Sequence, residues 1–246
     1  MSTSKNTSPR GRTSSAAARE AKRKRRRKKI IKVWIRRILF GLAVLALLFG
    51  IVFLILKLTG GKTVIPEKDY DLPDYITEEY IKVNKYSRPK ISLSEVNDIV
   101  IHYVGNPGTS AEANRNYFNN LSQQKDDESA TYGSSNFIVG LEGEILAVVP
   151  IDEIAYCSNN RNSDTLSIEV CHPDETGEFN EVTYASLVKL TAYLCDRFEL
   201  SADHIIRHYD VTGKLCPLYY VEHEDAWEAF KADVAAALEE MKLQAE

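Results

Sequence analysis

Two histidines and one cysteine in this chain of 246 residues stand where they can converge. His102 closes the run Asn97-Asp98-Ile99-Val100-Ile101-His102-Tyr103, which reads as a strand entering a loop. His208 and Cys216 lie eight residues apart, and Gly213 between them lets the intervening loop fold back. A strand-end histidine plus a His…Cys loop gives three ligands. Three protein ligands and a water is the arrangement of catalytic zinc. The spacing also fits a core histidine and a buried thiol, so the residues alone leave both readings open. Cys157, Cys171, Cys195 and Cys216 form no paired spacing pattern, and Cys195 falls on the apolar face of a helix as a core residue would. His204 and His223 have no partner in spacing and read as surface residues, while His172 follows a strand and is placed to line a groove.

The elements that must position these groups are legible as periodicities. Thr109-Ser110-Ala111-Glu112 is a capping box opening a helix towards Phe118. Asn136–Gly140 and Glu144–Val149 flank Leu141-Glu142-Gly143, a hairpin signal. Thr165–Cys171 and Ile205–Arg207 read as strands. Leu187, Leu190, Leu194 and Phe198 recur at helical spacing after Thr183, taken as the N-cap. Trp227, Phe230, Val234, Leu238 and Met241 mark a C-terminal amphipathic helix. Strands alternating with helices predict an α/β fold with one central sheet.

Taken together, the motifs resemble a known family. Ile99-Val100-Ile101-His102, Ser135-Asn136-Phe137-Ile138-Val139-Gly140, Ser167-Ile168-Glu169-Val170 and His208-Tyr209-Asp210…Lys214-Leu215-Cys216-Pro217 agree in order and spacing with the zinc-dependent N-acetylmuramoyl-L-alanine amidases. The type is amidase type 2, shared with peptidoglycan recognition proteins, and the resemblance covers roughly residues 96–235. It implies a central mixed β-sheet flanked by helices, with zinc in a surface groove. It also implies His102, His208 and Cys216 as zinc ligands, Glu169 as the catalytic glutamate, and Lys214 as an assisting lysine. Ser135 stands where several members carry a catalytic tyrosine, so that role is unfilled or filled by Glu169.

The expected chemistry follows. Zinc lowers the pKa of bound water to about 7. Glu169 then accepts the proton and passes it to the leaving amine, and Lys214 helps stabilise the oxyanion. Without the resemblance, Glu169 reads equally as an edge-strand surface carboxylate, since Leu166, Ile168 and Val170 share the other face. Lys214 likewise reads as an exposed loop cation. The implied reaction is hydrolysis of the amide between N-acetylmuramic acid and L-alanine in peptidoglycan. The alternatives are a non-catalytic peptidoglycan-binding module or an amidase acting on another wall amide. The polar loop Asn159-Asn160-Arg161-Asn162 reads as a glycan or peptide contact or as an ordinary polar loop, and Tyr103–Pro107 and Tyr219-Tyr220 read equally as groove walls or as packing residues.

Charge is divided sharply along the chain. Residues 1–37 hold fifteen Lys/Arg and one acid, Glu20, whereas 34 acidic residues face 15 basic ones beyond position 57. Between them Ile38–Leu56 is an unbroken run of 19 apolar or glycine residues. As a helix it spans roughly 28 Å, close to the hydrocarbon thickness of a bilayer. Eight consecutive basic residues, Lys22–Lys29, precede it. The positive-inside rule therefore predicts a single-pass anchor with a cytoplasmic N-terminus and an extracytoplasmic domain. Beside a span, that basic block is better explained by topology and anionic lipid than by nucleic acid, and no nucleic-acid partner is expected. The expected organisation is a basic tail over 1–37, a transmembrane anchor over 38–57, a stalk over 58–95 and the zinc amidase domain over 96–242, with part of the stalk packing on the domain.

Overall fold

Ile99, Val100 and Ile101 are consecutive and fully buried, as are Leu166 and Ile168 in a second segment. Runs of this kind are strands covered on both faces. The computed structural model describes residues 71–245, together with helical, exposed positions 23, 24, 26–28, 31, 32, 34, 35 and 37–42. The chain divides into two units, Met1–Gly61 and Lys62–Glu246.

In the second unit, six strands form one mixed sheet: β1 (Ile76–Glu78), β2 (Asp98–Tyr103), β3 (Phe137–Val139), β4 (Ile145–Ala147), β5 (Thr165–Val170) and β6 (Ile205–Arg207), in the spatial order β1-β4-β3-β5-β2-β6. Only β3 and β4 pair antiparallel, across the hairpin predicted around Leu141-Glu142-Gly143. The helices are α1 (Ala111–Asn120), α2 (Glu181–Arg197), α3 (His208–Thr212), α4 (Leu218–Glu222) and α5 (Glu224–Ala245).

Strand alternation sorts the side chains onto two faces. Ile99, Ile101, Phe137, Val139, Leu166, Ile168 and Val170 join Leu190 and Leu194 of α2 and Trp227, Phe230 and Val234 of α5 in the main core. Ile138 and Leu146 face the other way, into a smaller core with Ala111 of α1 and Ile81. This is the predicted α/β architecture, a mixed sheet flanked by helices.

Two caps differ from expectation. Ser110, one residue after Thr109, caps α1 by accepting from the Ala113 N–H, while the Thr109 hydroxyl donates to the Asn106 carbonyl. Asn180 caps α2 by accepting from the Thr183 N–H. Thr183 is buried inside the first turn, donating to the Gly140 carbonyl. An Asn ahead of the apolar pattern outcompetes a Thr within it because its carbonyl reaches the orphan N–H groups.

The expected packing of part of the stalk on the domain is seen in residues 71–95. Residues 71–95, assigned to the stalk, include β1, which extends the sheet beside β4. Ile81 and Leu93 are core residues. Arg88 grips Glu153 through Nε and Nη2 at 2.7 and 2.8 Å and donates from Nη1 to the Ile81 carbonyl. The strand itself left no periodicity to read, because β1 is only three residues long. From residue 43 to residue 70 the expected anchor and proximal stalk lie outside the described residues, as does most of the basic tail. Among the described residues, no helix is long and apolar enough to cross a membrane.

Candidate metal centre and active site

His102 is the fifth residue of β2, and Glu169 is its register partner on β5. Their neighbours Ile101 and Ile168 point into the main core, so both polar side chains leave the sheet on the opposite face. His208 is the first residue of α3, immediately after β6, which pairs with the other side of β2. Arg207 sets that junction. It is 7% exposed, and its backbone N–H and guanidinium both donate to Asp210, while Nη1 also reaches the Tyr220 carbonyl and Glu224.

Gly213 ends α3 at φ +79°, a left-handed conformation that glycine adopts without strain. Its N–H donates to the Tyr209 carbonyl, and the returning loop lets the Tyr209 N–H donate to the Cys216 carbonyl at 2.9 Å. Cys216 Sγ thereby lies 3.8 Å from His102 Nδ1, and the His102 and His208 rings stand 4.7 Å apart. His102, His208 and Cys216 are all buried and each offers a ligand atom within 4.8 Å of the others.

The polar atoms here are arranged for a missing partner. His208 Nε2 lies 2.9 Å from Asn159 Oδ1, an acceptor, so the ring proton sits on Nε2 and the lone pair on Nδ1. That Nδ1 is buried without a hydrogen-bond partner, as are His102 Nε2 and Glu169 Oε2. Orphaned buried polar atoms are costly and rare. An imidazole whose second nitrogen donates to a fixed carbonyl is oriented as metal-ligating histidines are. Asn159 supplies that carbonyl from a left-handed backbone, φ +51°. Its loop is tied down by Arg161, which bonds Asp98 and Asp164.

Electrostatics favour neutral imidazoles. Burial holds His102 well below the usual histidine range, helped by His208 and Lys214; burial and then Lys214 lower His208. Burial pushes Glu169 up to about 7, against the opposing influence of the Cys157 thiol and Lys214. Cys216 is pushed up to about 12, chiefly by burial and then by Glu169. A bound cation reverses that and deprotonates the thiol.

His102, His208, Glu169 and the exposed Lys214 line one cavity of about 750 Å³. Its walls are Tyr117, Phe118, Tyr132 and Tyr156. Of the two readings of the flanking tyrosines, packing holds for Tyr103 and Tyr220: Tyr103 packs against His172 at 5.0 Å, and Tyr220 is 4% exposed within a cluster of Phe179, Trp227 and Phe230. His172 does not line the groove; it is buried, with Nδ1 against the Asp174 carbonyl. Ser135 is fully buried and donates to the Phe137 carbonyl, which keeps its hydroxyl out of the cavity lining. His204 and His223 are exposed, and all four cysteines are free thiols, with Cys195 in the core.

Cys157 carried no assigned role in the sequence, and Asn159 only that of a polar loop residue within reach of glycan or peptide. Cys157 lines the cavity with its Sγ donating to Glu169 Oε1 at 3.5 Å. No spacing pattern links residues 157 or 159 to 208, so only the fold brings them together.

Comparison with known proteins fits this geometry. The model of the N-acetylmuramoyl-L-alanine amidase family matches residues 92–218, and the chain belongs to that family. A probable N-acetylmuramoyl-L-alanine amidase of Bacillus licheniformis is 34% identical over 175 residues, 66% of this chain and 48% of that protein. The N-acetylmuramoyl-L-alanine amidase CwlL of the same organism is 32% identical over 177 residues, 66% of this chain and 47% of that one. The chain therefore spans about half the length of the curated relatives it matches. The solved catalytic domain of XlyA is 25% identical with a TM-score of 0.54, covering 65% of this chain and 98% of that domain. The PlyG catalytic domain, 18% identical with a TM-score of 0.55 and covering 66% of this chain and 94% of that one, shares the fold.

Proposed function

We propose that this chain hydrolyses the amide between N-acetylmuramic acid and L-alanine in peptidoglycan, using zinc held by His102, His208 and Cys216. The observation that carries the reading is the convergence of those three ligand atoms beside a half-buried glutamate in one open groove. Zinc fits the donor set. With Zn–S of about 2.3 Å and Zn–N of about 2.1 Å at a tetrahedral angle, sulfur and nitrogen ligands stand roughly 3.6 Å apart. Cys216 Sγ and His102 Nδ1 stand 3.8 Å apart. When bound, zinc supplies Lewis acidity, polarising the scissile carbonyl and making water nucleophilic near neutral pH.

The chain's own residues supply the rest. Glu169, on the cavity lining and register-paired with His102, takes a proton from the attacking water and returns it to the leaving amine. Lys214, on the cavity lining, places a positive charge where the carbonyl oxygen becomes negative. Asn159 fixes the His208 tautomer. The aromatic walls give the substrate apolar faces to lie against.

The same proposal places the domain outside the cytoplasmic membrane. It is supported by the 19-residue apolar run Ile38–Leu56 and the fifteen basic residues before it. A reporter fused after Glu246 should be active only outside the cytoplasm.

The decisive experiment is digestion of purified peptidoglycan by the full chain, with mass spectrometry of the fragments. Free muramic acid lactyl groups and stem peptides with N-terminal alanine are expected. Cleavage within the stem peptide would reassign the bond. Tight binding without any cleavage by the zinc-loaded chain would leave a recognition module instead.

A further inference from the structure

Cys157 lies in the groove and takes no part in the reaction proposed above. Its Sγ donates to Glu169 Oε1 at 3.5 Å, and Cys157, Glu169 and His102 each offer a ligand atom within 4.8 Å of the others. Glu169 Oε2 and His102 Nε2 are both buried with no hydrogen-bond partner. His102 is 1% exposed, and its Nδ1 is the nitrogen beside Cys216, which leaves Nε2 for another neighbour. A thiol, a carboxylate and an imidazole together match the preferences of thiophilic divalent ions, whereas hard ions such as Mg²⁺ and Ca²⁺ take oxygen ligands.

We propose that His102, Cys157 and Glu169 form a second site for a thiophilic divalent cation, adjoining the first, and that filling it switches the amidase off. Cys157 releases its thiol proton to solvent and ligates as the thiolate. His102, whose Nδ1 is the nitrogen beside Cys216, would hold this cation through Nε2, giving up that nitrogen's proton to solvent. Glu169 ligates through its carboxylate and no longer accepts a proton from water. The switch rests on the role given to Glu169 above. The binding does not, because it depends only on the donor set.

The test therefore reads binding and rate separately. The metal-free full chain is titrated with Cd²⁺, following metal stoichiometry and cadmium–thiolate charge-transfer absorption. Two equivalents should bind, the band growing with each as Cys216 and then Cys157 becomes a ligand. Cys157→Ser should weaken the second equivalent by at least about tenfold while keeping the first. Cys171→Ser, whose thiol is buried away from the cavity lining, should titrate like the unaltered chain. Glu169→Gln provides an independent arm, weakening the second equivalent through loss of a carboxylate ligand. In parallel, wall digestion at one equivalent of Zn²⁺ should fall as zinc is raised, and Cys157→Ser should hold its own one-equivalent rate. The site is refuted if the unaltered chain binds only one cation, or if Cys157→Ser and Glu169→Gln both bind the second as tightly as it does. Binding of two cations with no fall in rate would overturn the switch.

Discussion

His102 and Glu169 are register partners on the adjacent parallel strands β2 and β5, so an imidazole and a carboxylate leave the sheet side by side. Behind them Ile101 and Ile168 are also paired, and both are fully buried in the main core. The site is therefore referenced to the core. Slipping either strand by one residue would turn its polar group inward and its isoleucine out.

That pairing makes Glu169 testable apart from the metal. Glu169→Gln keeps shape but cannot take a proton, and general acid–base catalysis contributes about 10²–10⁴-fold. The variant should lose at least roughly a hundredfold in wall-digesting rate while retaining its first equivalent of zinc. Near-normal cutting would remove Glu169 from the mechanism. Ser135→Ala should cut normally at permissive temperature, since the Ser135 hydroxyl serves only the Phe137 carbonyl.

The raised carboxyl has a consequence for the metal-free chain. Burial raises the Glu169 carboxyl to about 7, well above the ordinary glutamate value. Its folded pKa lies above its unfolded one, so its contribution is intact below about 4.5 and is lost as pH rises towards 7. The loss is up to about 3 kcal/mol. The lowered His102 and His208 act oppositely, costing stability as pH falls below the usual histidine range. Urea titrations of the metal-free chain and of Glu169→Gln at several pH values isolate the first effect: their difference should grow from acid to neutral pH. A difference independent of pH would show that Glu169 ionises freely in the fold.

The two most informative thiols differ in their surroundings. Cys216→Ser should abolish most zinc binding to the first site, because the serine hydroxyl is a far weaker ligand than a thiolate. Cys195→Ser should keep full zinc and instead lower stability by about 1–3 kcal/mol, since it buries a hydroxyl within the main core. Equilibrium dialysis with chemical denaturation distinguishes the two; equal zinc content in both would discard the ligand set.

Asn159 is expected to act through His208. Asn159→Ala removes the acceptor 2.9 Å from Nε2 and frees the ring to change tautomer. Zinc affinity by chelator competition should fall about 10–100-fold with the fold retained. Asn159→Asp, which keeps the acceptor, should recover most of the affinity. An unchanged affinity in Asn159→Ala would mean that packing alone orients His208.

Arg88 and Glu153 fasten the segment before β2 to the domain, their side chains 15% and 11% exposed. Arg88→Ala should cost about 3–5 kcal/mol by stranding a buried carboxylate. Replacing both residues should be milder than replacing Arg88 alone. Thermal melts showing no loss in Arg88→Ala would return residues 71–95 to the status of a stalk.

Much of this was legible along the chain because periodicity is a local property. The buried runs at β2 and β5, the helical spacing of α2 and α5 and the hairpin between β3 and β4 follow from which residues shed water. Histidine and cysteine allowed metal chemistry by type without deciding it, and motif order and spacing carried the resemblance to the family. The tertiary structure decided what depends on contacts between distant segments. It placed Glu169 beside His102, 67 positions away, through strand pairing, and set Asn159 against His208 across a separation of 49. It also brought Cys157 to Glu169, seated β1 on the sheet edge and walled the cavity with Tyr117, Tyr132 and Tyr156. A side chain's partners across the fold are fixed by how strands register and loops close, and no local pattern of residue types encodes either.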